Sequence, residues 1–152
     1  MNFKKLFLNY CSNKELEINK YQIKTVDSIH KFYQLNFNNY FLLKLFSKKL
    51  PKIGFYLDGD VGVGKTMILN IFYENFYYSK KKFHFNEFML NFHDFVFQNK
   101  NKKKVNIVNN FVSKLKKKYK LIYLDEFQVT NIVDAMILGN LFKKIFDENI
   151  KV

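Results

Sequence analysis

Hydrophobic residues recur at spacings of three and four along most of the chain, the pattern of one helix face. This periodicity predicts a helix over residues 21–33, where Ile23, Val26 and Ile29 share a face. It predicts further helices over residues 67–78, 87–97, 132–146 and around 108–115, and one that ends near Phe46. Most of the predicted structure is therefore helical.

Three short apolar runs break this pattern, at residues 53–57, 83–85 and 121–124. Each predicts a short buried strand. Lysines 80–82 are predicted to form a basic turn before the second strand, and residues 98–104 a loop. Because strands alternate with helices, we expect an α/β fold of the P-loop NTPase type, with a mainly parallel sheet. We find no repeat or linker, so we predict one domain, with a helical segment over 1–50 and a core over 51–152.

The chain is strongly basic, with 152 residues and a formal charge of +13, and all its basic side chains except the histidines are lysines. Such charge can indicate nucleic acid or an anionic membrane. Codon bias in an AT-rich genome explains it equally, and lysine lacks the bidentate phosphate contacts of arginine. Nucleic acid is therefore not favoured as a partner, and peripheral membrane association stays open. The single Cys11 and the short apolar start predict a cytoplasmic protein.

The segment GDVGVGKT, residues 59–66, fits the phosphate-binding pattern G-x-x-x-x-G-K-[ST], known as Walker A. It lies between a predicted strand and a predicted helix, as the motif requires. Glycine allows positive φ, so successive N–H groups can surround an anion at the positive end of the helix. Lys65 would reach the β- and γ-phosphates of ATP, and Thr66 would ligate Mg²⁺. The other predicted nucleotide-binding residues of the loop are Gly59, Asp60, Val61, Gly62, Val63 and Gly64.

A phosphate loop also needs a carboxylate at the end of a strand in the same sheet to hold the metal. The apolar run 121–124 ends at Asp125 and Glu126, which resemble a Walker B motif. Asp125 is predicted to hold Mg²⁺, and Glu126 to orient and deprotonate the attacking water. Lys65 and Glu126 are thus the predicted catalytic residues, and the pair of acids favours hydrolysis over nucleotide binding alone.

Three segments carry a family resemblance: GFYLDGDVGVGKTMILNIFY (54–73), KFHFNEFMLNFH (82–93) and LIYLDEFQVTNIVDAMILGNLF (121–142). Together they resemble the AAA+ ATPase family of the bacterial cell division protein ZapE and its mitochondrial relatives. The resemblance extends from about residue 21 to the last residue. It implies an ATPase that acts on a protein partner in cell division or in protein quality control, and that forms a homo-oligomer when complete.

The resemblance also implies roles for single residues. Gln22 matches an early glutamine of the family and is expected near the adenine. Asp134 matches the stretch that follows the metal carboxylate. His84 and His93 match family histidines, for which we expect packing or hydrogen bonding rather than metal binding, whereas Asn86 replaces a further one.

The chain stops at Val152, where the resemblance predicts that the next strand begins. In AAA+ sheets, with strand order 5-1-4-3-2, that strand lies between the strands that lead to Lys65 and Asp125. The γ-phosphate sensor, the arginine finger and the helical lid would follow it. We therefore expect the N-terminal portion of a longer ATPase or a truncated gene product, which alone shows neither a cooperative thermal transition nor ATP turnover.

ATP binding and hydrolysis by a ZapE-like AAA+ ATPase is the function that these features favour. Two alternatives stay open: a helicase-loader-like AAA+ protein that binds single-stranded DNA, and a nucleotide-binding remnant that does not hydrolyse ATP. The sequence does not identify the client, the oligomeric state or the group that replaces the arginine finger.

Overall fold

The computed structural model describes residues 2–37, 53–100 and 106–152. Contacts divide the chain into two compact units, Met1–Phe76 and Tyr77–Val152. The first unit contains α1 (Phe3–Asn13), α2 (Lys20–Phe37) and α3 (Lys65–Glu74). The second contains β1 (Lys80–His84), α4 (Phe85–Gln98), α5 (Ile107–Lys118), β2 (Leu121–Asp125) and α6 (Ile132–Asp147). The helix predicted to end near Phe46 and most of the loop predicted over 98–104 lie outside the described residues.

Aromatic and aliphatic side chains on one face of each helix form the core of the first unit. The edge of one ring meets the face of another at Phe3–Phe72, with centroids 5.6 Å apart. Full burial of one such side chain contributes about 1.5–3 kcal/mol. The helix predicted over residues 21–33 is confirmed, as is its buried face. The buried residues of the unit are Phe3, Phe7, Cys11, Val26, Ile29, Phe32, Tyr33, Ile68, Ile71, Phe72 and Phe76.

The strand predicted at residues 53–57 is wrong, because these residues have no regular structure and Tyr56 is 72% exposed. A strand needs a neighbour for its backbone hydrogen bonds, and the described part of the first unit contains helices only. The following helix, predicted over 67–78, begins earlier and ends earlier. Its end has a local cause, since the Asn75 side chain donates to the Ile71 carbonyl oxygen at 2.9 Å and competes with the helical ladder.

Strands β1 and β2 pair in parallel, from Lys80 opposite Leu121 to His84 opposite Asp125. Their connection passes through α4 and α5, which pack with α6 into one hydrophobic core. The predicted parallel sheet is thereby confirmed for these two strands, and so are the helices predicted around 108–115 and over 132–146. The most deeply buried residues of this core are Phe85, Phe88, Val112, Ile122, Leu141, Ile145 and Ile150.

The basic turn predicted for lysines 80–82 is wrong, because these residues are the first three of β1. Their aliphatic stems can cover apolar surface while the ammonium groups stay near water. The ammonium of Lys82 lies 4.8 Å from the ring centroid of Tyr123 on β2. The predicted strand 83–85 is shifted accordingly, since Phe85 already begins α4.

The last residues run beside β2 on the edge away from β1. Leu121 and Lys151 form a parallel bridge, in which the Ile122 N–H donates to the Lys151 carbonyl oxygen at 2.8 Å. The Lys151 N–H donates to the Lys120 carbonyl oxygen at 3.0 Å. This is the place at which the family resemblance predicts that the next strand begins. Among the described residues, no helix is both long enough and apolar enough to cross a membrane.

Candidate functional site

The predicted phosphate loop is an irregular turn that leads directly into α3. Gly59, Gly62 and Gly64 have φ angles of +144°, +85° and +87°. Gly64 is the residue that precedes the first turn of α3, and a Cβ atom there would lie 2.9 Å from the Gln22 amide nitrogen. The left-handed backbone therefore favours glycine at position 64, and a Cβ atom there would require the Gln22 amide to shift.

Lys65 folds back over the loop from which it comes. Its ammonium donates to the carbonyl oxygens of Gly59 at 2.5 Å and Asp60 at 2.6 Å. A lysine ammonium has three donors and is strongly hydrated, so it must find acceptors wherever it lies. Phosphate oxygens bound in the loop would replace these carbonyls.

Gln22 contacts the loop from the first turn of α2. Its amide nitrogen donates to the Val63 carbonyl oxygen at 3.1 Å, and its amide oxygen accepts from the Asn19 N–H at 3.0 Å. The side chain thus joins the start of α2 to the loop backbone, a contact that the sequence does not predict. The expected position near adenine stays a prediction.

Asp125 ends β2 with both carboxylate oxygens engaged. Oδ2 is 2.9 Å from the Lys82 ammonium on the neighbouring strand. Oδ1 accepts from the Tyr123 hydroxyl and from the Glu126 N–H, each at 3.2 Å. Burial raises the pKa of Asp125, but the hydrogen bonds and the charge of Lys82 outweigh it, so that this pKa lies below its ordinary value. Asp125 is therefore a carboxylate at neutral pH.

Tyr123 is held in its neutral form by the same contacts. Burial first, and then the charge and hydrogen bond of Asp125, raise the pKa of its hydroxyl far above the ordinary value. The hydroxyl therefore remains a donor to Asp125 throughout the physiological range, and helps to hold the orientation of the carboxylate.

Glu126 follows in a left-handed conformation, with φ of +53°. This conformation is costly for a residue with a Cβ atom, and such strain often occurs at functional sites. The Glu126 side chain is 77% exposed, and its Oε2 lies 3.7 Å from His84 Nδ1. The carboxylate is thus open to water at the end of β2.

His93 and Asp134 form a second polar pair, between α4 and the first turn of α6. His93 Nε2 lies 2.7 Å from Asp134 Oδ1. The pair joins α4 to α6, the helix that follows Asp125 and Glu126 in the chain. It agrees with the hydrogen-bonding role expected for His93, although the sequence did not indicate its partner.

Comparison with known proteins shows the family. The model of the AFG1-like ATPases matches residues 11–152. This chain belongs to the AFG1-like ATPase family. The resemblance inferred from the three segments is thereby confirmed.

Two relatives illustrate the range of the AFG1-like family. The chain is 38% identical to "Lactation elevated protein 1 homolog B" of Danio rerio, over 66% of this chain and 22% of that protein. It is 32% identical to "Cell division protein ZapE" of Escherichia coli K12, over 68% of this chain and 28% of that protein. The chain therefore spans less than a third of the length of these relatives. No solved structure matches it.

The residues of this AFG1-like chain suit a magnesium nucleotide chemically. Thr66 and Asp125 offer the oxygen donors that Mg²⁺ prefers, and the space around the Cα atom of Gly62 is open. Within residues 2–37, 53–100 and 106–152 there is no group of three or more His, Cys, Asp or Glu residues that could hold a metal. The loop belongs to the first unit and the two acids to the second, so that their meeting around one nucleotide stays a prediction.

Lys82 is the residue beside the end of β2 that the sequence did not indicate. The run of three lysines predicted a turn. In the structure these lysines begin β1, and this strand places Lys82 beside Asp125. The parallel pairing of β1 with β2 would have indicated the contact, because Lys82 stands opposite Tyr123, two residues before Asp125.

Proposed function

We propose that this chain carries the ATP-binding and ATP-hydrolysing residues of an AFG1-like ATPase. The observation that carries the proposal is the loop at residues 59–64, with glycines in the left-handed region and Lys65 folded over it. Glycine adopts positive φ at little cost, and successive N–H groups in such a turn can surround an anion. Family membership supports the same activity.

Each residue has a distinct task in this proposal. The loop N–H groups and the start of α3 bind the phosphates, and Lys65 exchanges its carbonyl partners for the β- and γ-oxygens. Thr66 and Asp125 would hold Mg²⁺, which neutralises charge on the phosphate oxygens. Glu126 accepts a proton from the attacking water at its exposed carboxylate.

The complete protein is proposed to work as an AAA+ oligomer on a protein partner in the cytoplasm. Phosphoryl transfer normally needs a cation close to the transferring group, and the chain has no arginine. A neighbouring subunit or a lysine would therefore supply that charge. Similarity to the protein named as cell division protein ZapE supports a role in division, with protein quality control as the other expected setting.

Two substitutions in the intact protein test the proposal. Lys65→Ala should weaken ATP binding roughly 10- to 100-fold, since hydrogen bonds to charged groups contribute about 1.5–3 kcal/mol. Glu126→Gln should leave binding nearly unchanged and lower turnover about 10²- to 10⁴-fold, because it removes the proton acceptor. Affinity is measured with a fluorescent ATP analogue, and turnover by phosphate release.

Glu87→Gln is the matched control, since Glu87 is an exposed carboxylate in the first turn of α4. It should change neither quantity. Unchanged ATP affinity in Lys65→Ala would contradict the proposal, and normal turnover in Glu126→Gln would remove Glu126 from its role. Tight binding by the wild type without turnover would instead favour the non-hydrolysing alternative.

A further inference from the structure

Lys82 and Asp125 form a contact that the proposed ATPase mechanism does not use. The Lys82 ammonium lies 2.9 Å from Asp125 Oδ2, and the two side chains are 31% and 17% exposed. Lys82 and Tyr123 are opposite each other in the register of the sheet, and Asp125 is two residues further along the same face. The lysine thus reaches toward the end of β2 from which the proposed metal ligand projects.

A metal ion and this ammonium compete for the same carboxylate. Mg²⁺ takes oxygen ligands at about 2.0–2.1 Å in nearly octahedral geometry. It binds a carboxylate either directly or through one of its bound waters, and in both cases the ion lies close to the carboxylate. Two cations within about 4 Å of each other repel, and more strongly where water is partly excluded. Lys82 must therefore move from Oδ2 when a magnesium nucleotide engages Asp125.

Lys82 has a second contact that does not involve the carboxylate. Its ammonium already lies 4.8 Å from the Tyr123 ring centroid, a cation–π distance, so it can leave the carboxylate and stay over the ring. Asp125 does not lose its orientation in that step. The Tyr123 hydroxyl and the Glu126 N–H both hold the other oxygen, Oδ1.

We propose that Lys82 is an internal counter-cation that competes with Mg²⁺ for Asp125 and so sets the Mg²⁺ concentration at which nucleotide binds with its metal. The inference rests on the proposed function, because it assumes that Asp125 serves the metal of a nucleotide bound in the loop. In the absence of Mg²⁺, Lys82 neutralises the carboxylate. In its presence, Lys82 raises the Mg²⁺ concentration at which half of the sites hold the metal.

The test measures affinity for a fluorescent, non-hydrolysable ATP analogue in the intact protein as Mg²⁺ is titrated, so that turnover does not enter. Lys82→Met removes the charge and keeps most of the stem. It should lower the half-maximal Mg²⁺ concentration about three- to tenfold, the range for a partly exposed charged hydrogen bond. Lys82→Arg should raise it, because a guanidinium can hold a carboxylate through two hydrogen bonds.

Lys81→Met is the matched control. It removes the same charge one residue earlier, where the side chain points to the other face of β1 and the ammonium lies 5.3 Å from the Phe83 ring centroid. It should leave the half-maximal Mg²⁺ concentration at the wild-type value. Affinity measured in EDTA gives the metal-free baseline of each variant, from which its Mg²⁺ dependence is calculated.

The outcomes separate this inference from the function on which it rests. Equal Mg²⁺ dependence in Lys82→Met and Lys81→Met, or a raised Mg²⁺ requirement in Lys82→Met, would overturn the inference while the wild type still binds nucleotide. A wild type that binds no nucleotide with or without Mg²⁺ would overturn the proposed function, and the inference with it. If Lys82→Met does not fold, as judged by its thermal melt, Lys82→Gln and Lys82→Arg decide the question in the same titration.

Discussion

The phosphate loop and the acidic end of β2 are built in different ways. In the loop, residues 59–65 contain both the glycines with positive φ and the Lys65 side chain that folds back over them. Gln22 adds one contact from outside this segment. At the end of β2, the state of Asp125 depends on Lys82, which belongs to another strand. The geometry of the loop thus depends mainly on consecutive residues, whereas the charge environment at the end of β2 depends on which strand pairs with it.

Gly64→Ala should have the largest effect on the loop. The substitution forces a Cβ atom into the left-handed region, at about 1–2 kcal/mol, and brings it 2.9 Å from the Gln22 amide nitrogen. We expect ATP affinity to fall at least 10- to 30-fold. Gly62 has a similar φ, of +85°, but a Cβ atom there would meet nothing within 4 Å. Gly62→Ala should therefore lower ATP affinity less than Gly64→Ala does.

A second substitution separates strain from contact at Gly64. Gln22→Ala removes the amide that the new Cβ atom would meet, but leaves the positive φ. The double variant should therefore regain part of the affinity lost by Gly64→Ala and still bind more weakly than Gln22→Ala alone. Equal affinities of Gly64→Ala and Gly62→Ala would show that the contact with Gln22 carries no weight.

The same contrast explains how much the sequence predicts. The glycine turn at residues 59–64, the helices around Val26 and Leu141 and the strand that ends at Asp125 follow from patterns of neighbouring residues, and the structure has each of these elements. The chemical roles of Lys65, Asp125 and Glu126 stay predictions, because they concern a ligand and the meeting of two units.

The misses share a physical cause. Residues 53–57 are apolar enough for a strand, but the strand depends on a hydrogen-bonded neighbour that no local pattern supplies. Lysines 80–82 look like a solvated turn, yet pairing with β2 and the ring of Tyr123 turns them into strand. Likewise, the pairing of His93 with Asp134 needs two helices that lie far apart in sequence.

Glu148 is a surface residue whose ion pairs include a lysine distant in the sequence. Of the substitutions considered, we expect its replacement to have the smallest effect on the protein. Hydrogen bonds from Lys116, at 2.6 Å, and from Lys144, at 2.9 Å, lower the pKa of Glu148 from 4.5 to about 2. A pKa that is lower in the folded state stabilises that state above the unfolded value. This stability is fully present above about pH 4.5 and is lost as the pH falls to about 2.

In the intact protein, Glu148→Gln should therefore lower the melting temperature slightly at neutral pH. The difference from the wild type should shrink as the pH falls from about 4.5 to about 2. Thermal melts of both proteins over this range, at low and at high salt, measure the effect, and high salt should reduce it. A difference that grows toward low pH would contradict the role assigned to these two ion pairs.

An experimental structure of the Glu126→Gln variant with magnesium and an ATP analogue would show whether the glycine turn and Asp125 serve the same nucleotide. We expect the triphosphate within the turn at residues 59–64, the ammonium of Lys65 on its β- and γ-oxygens, and one metal ion shared by Thr66 and Asp125. A nucleotide seated in the turn with its metal remote from Asp125, or a nucleotide bound elsewhere on the protein, would contradict this expectation.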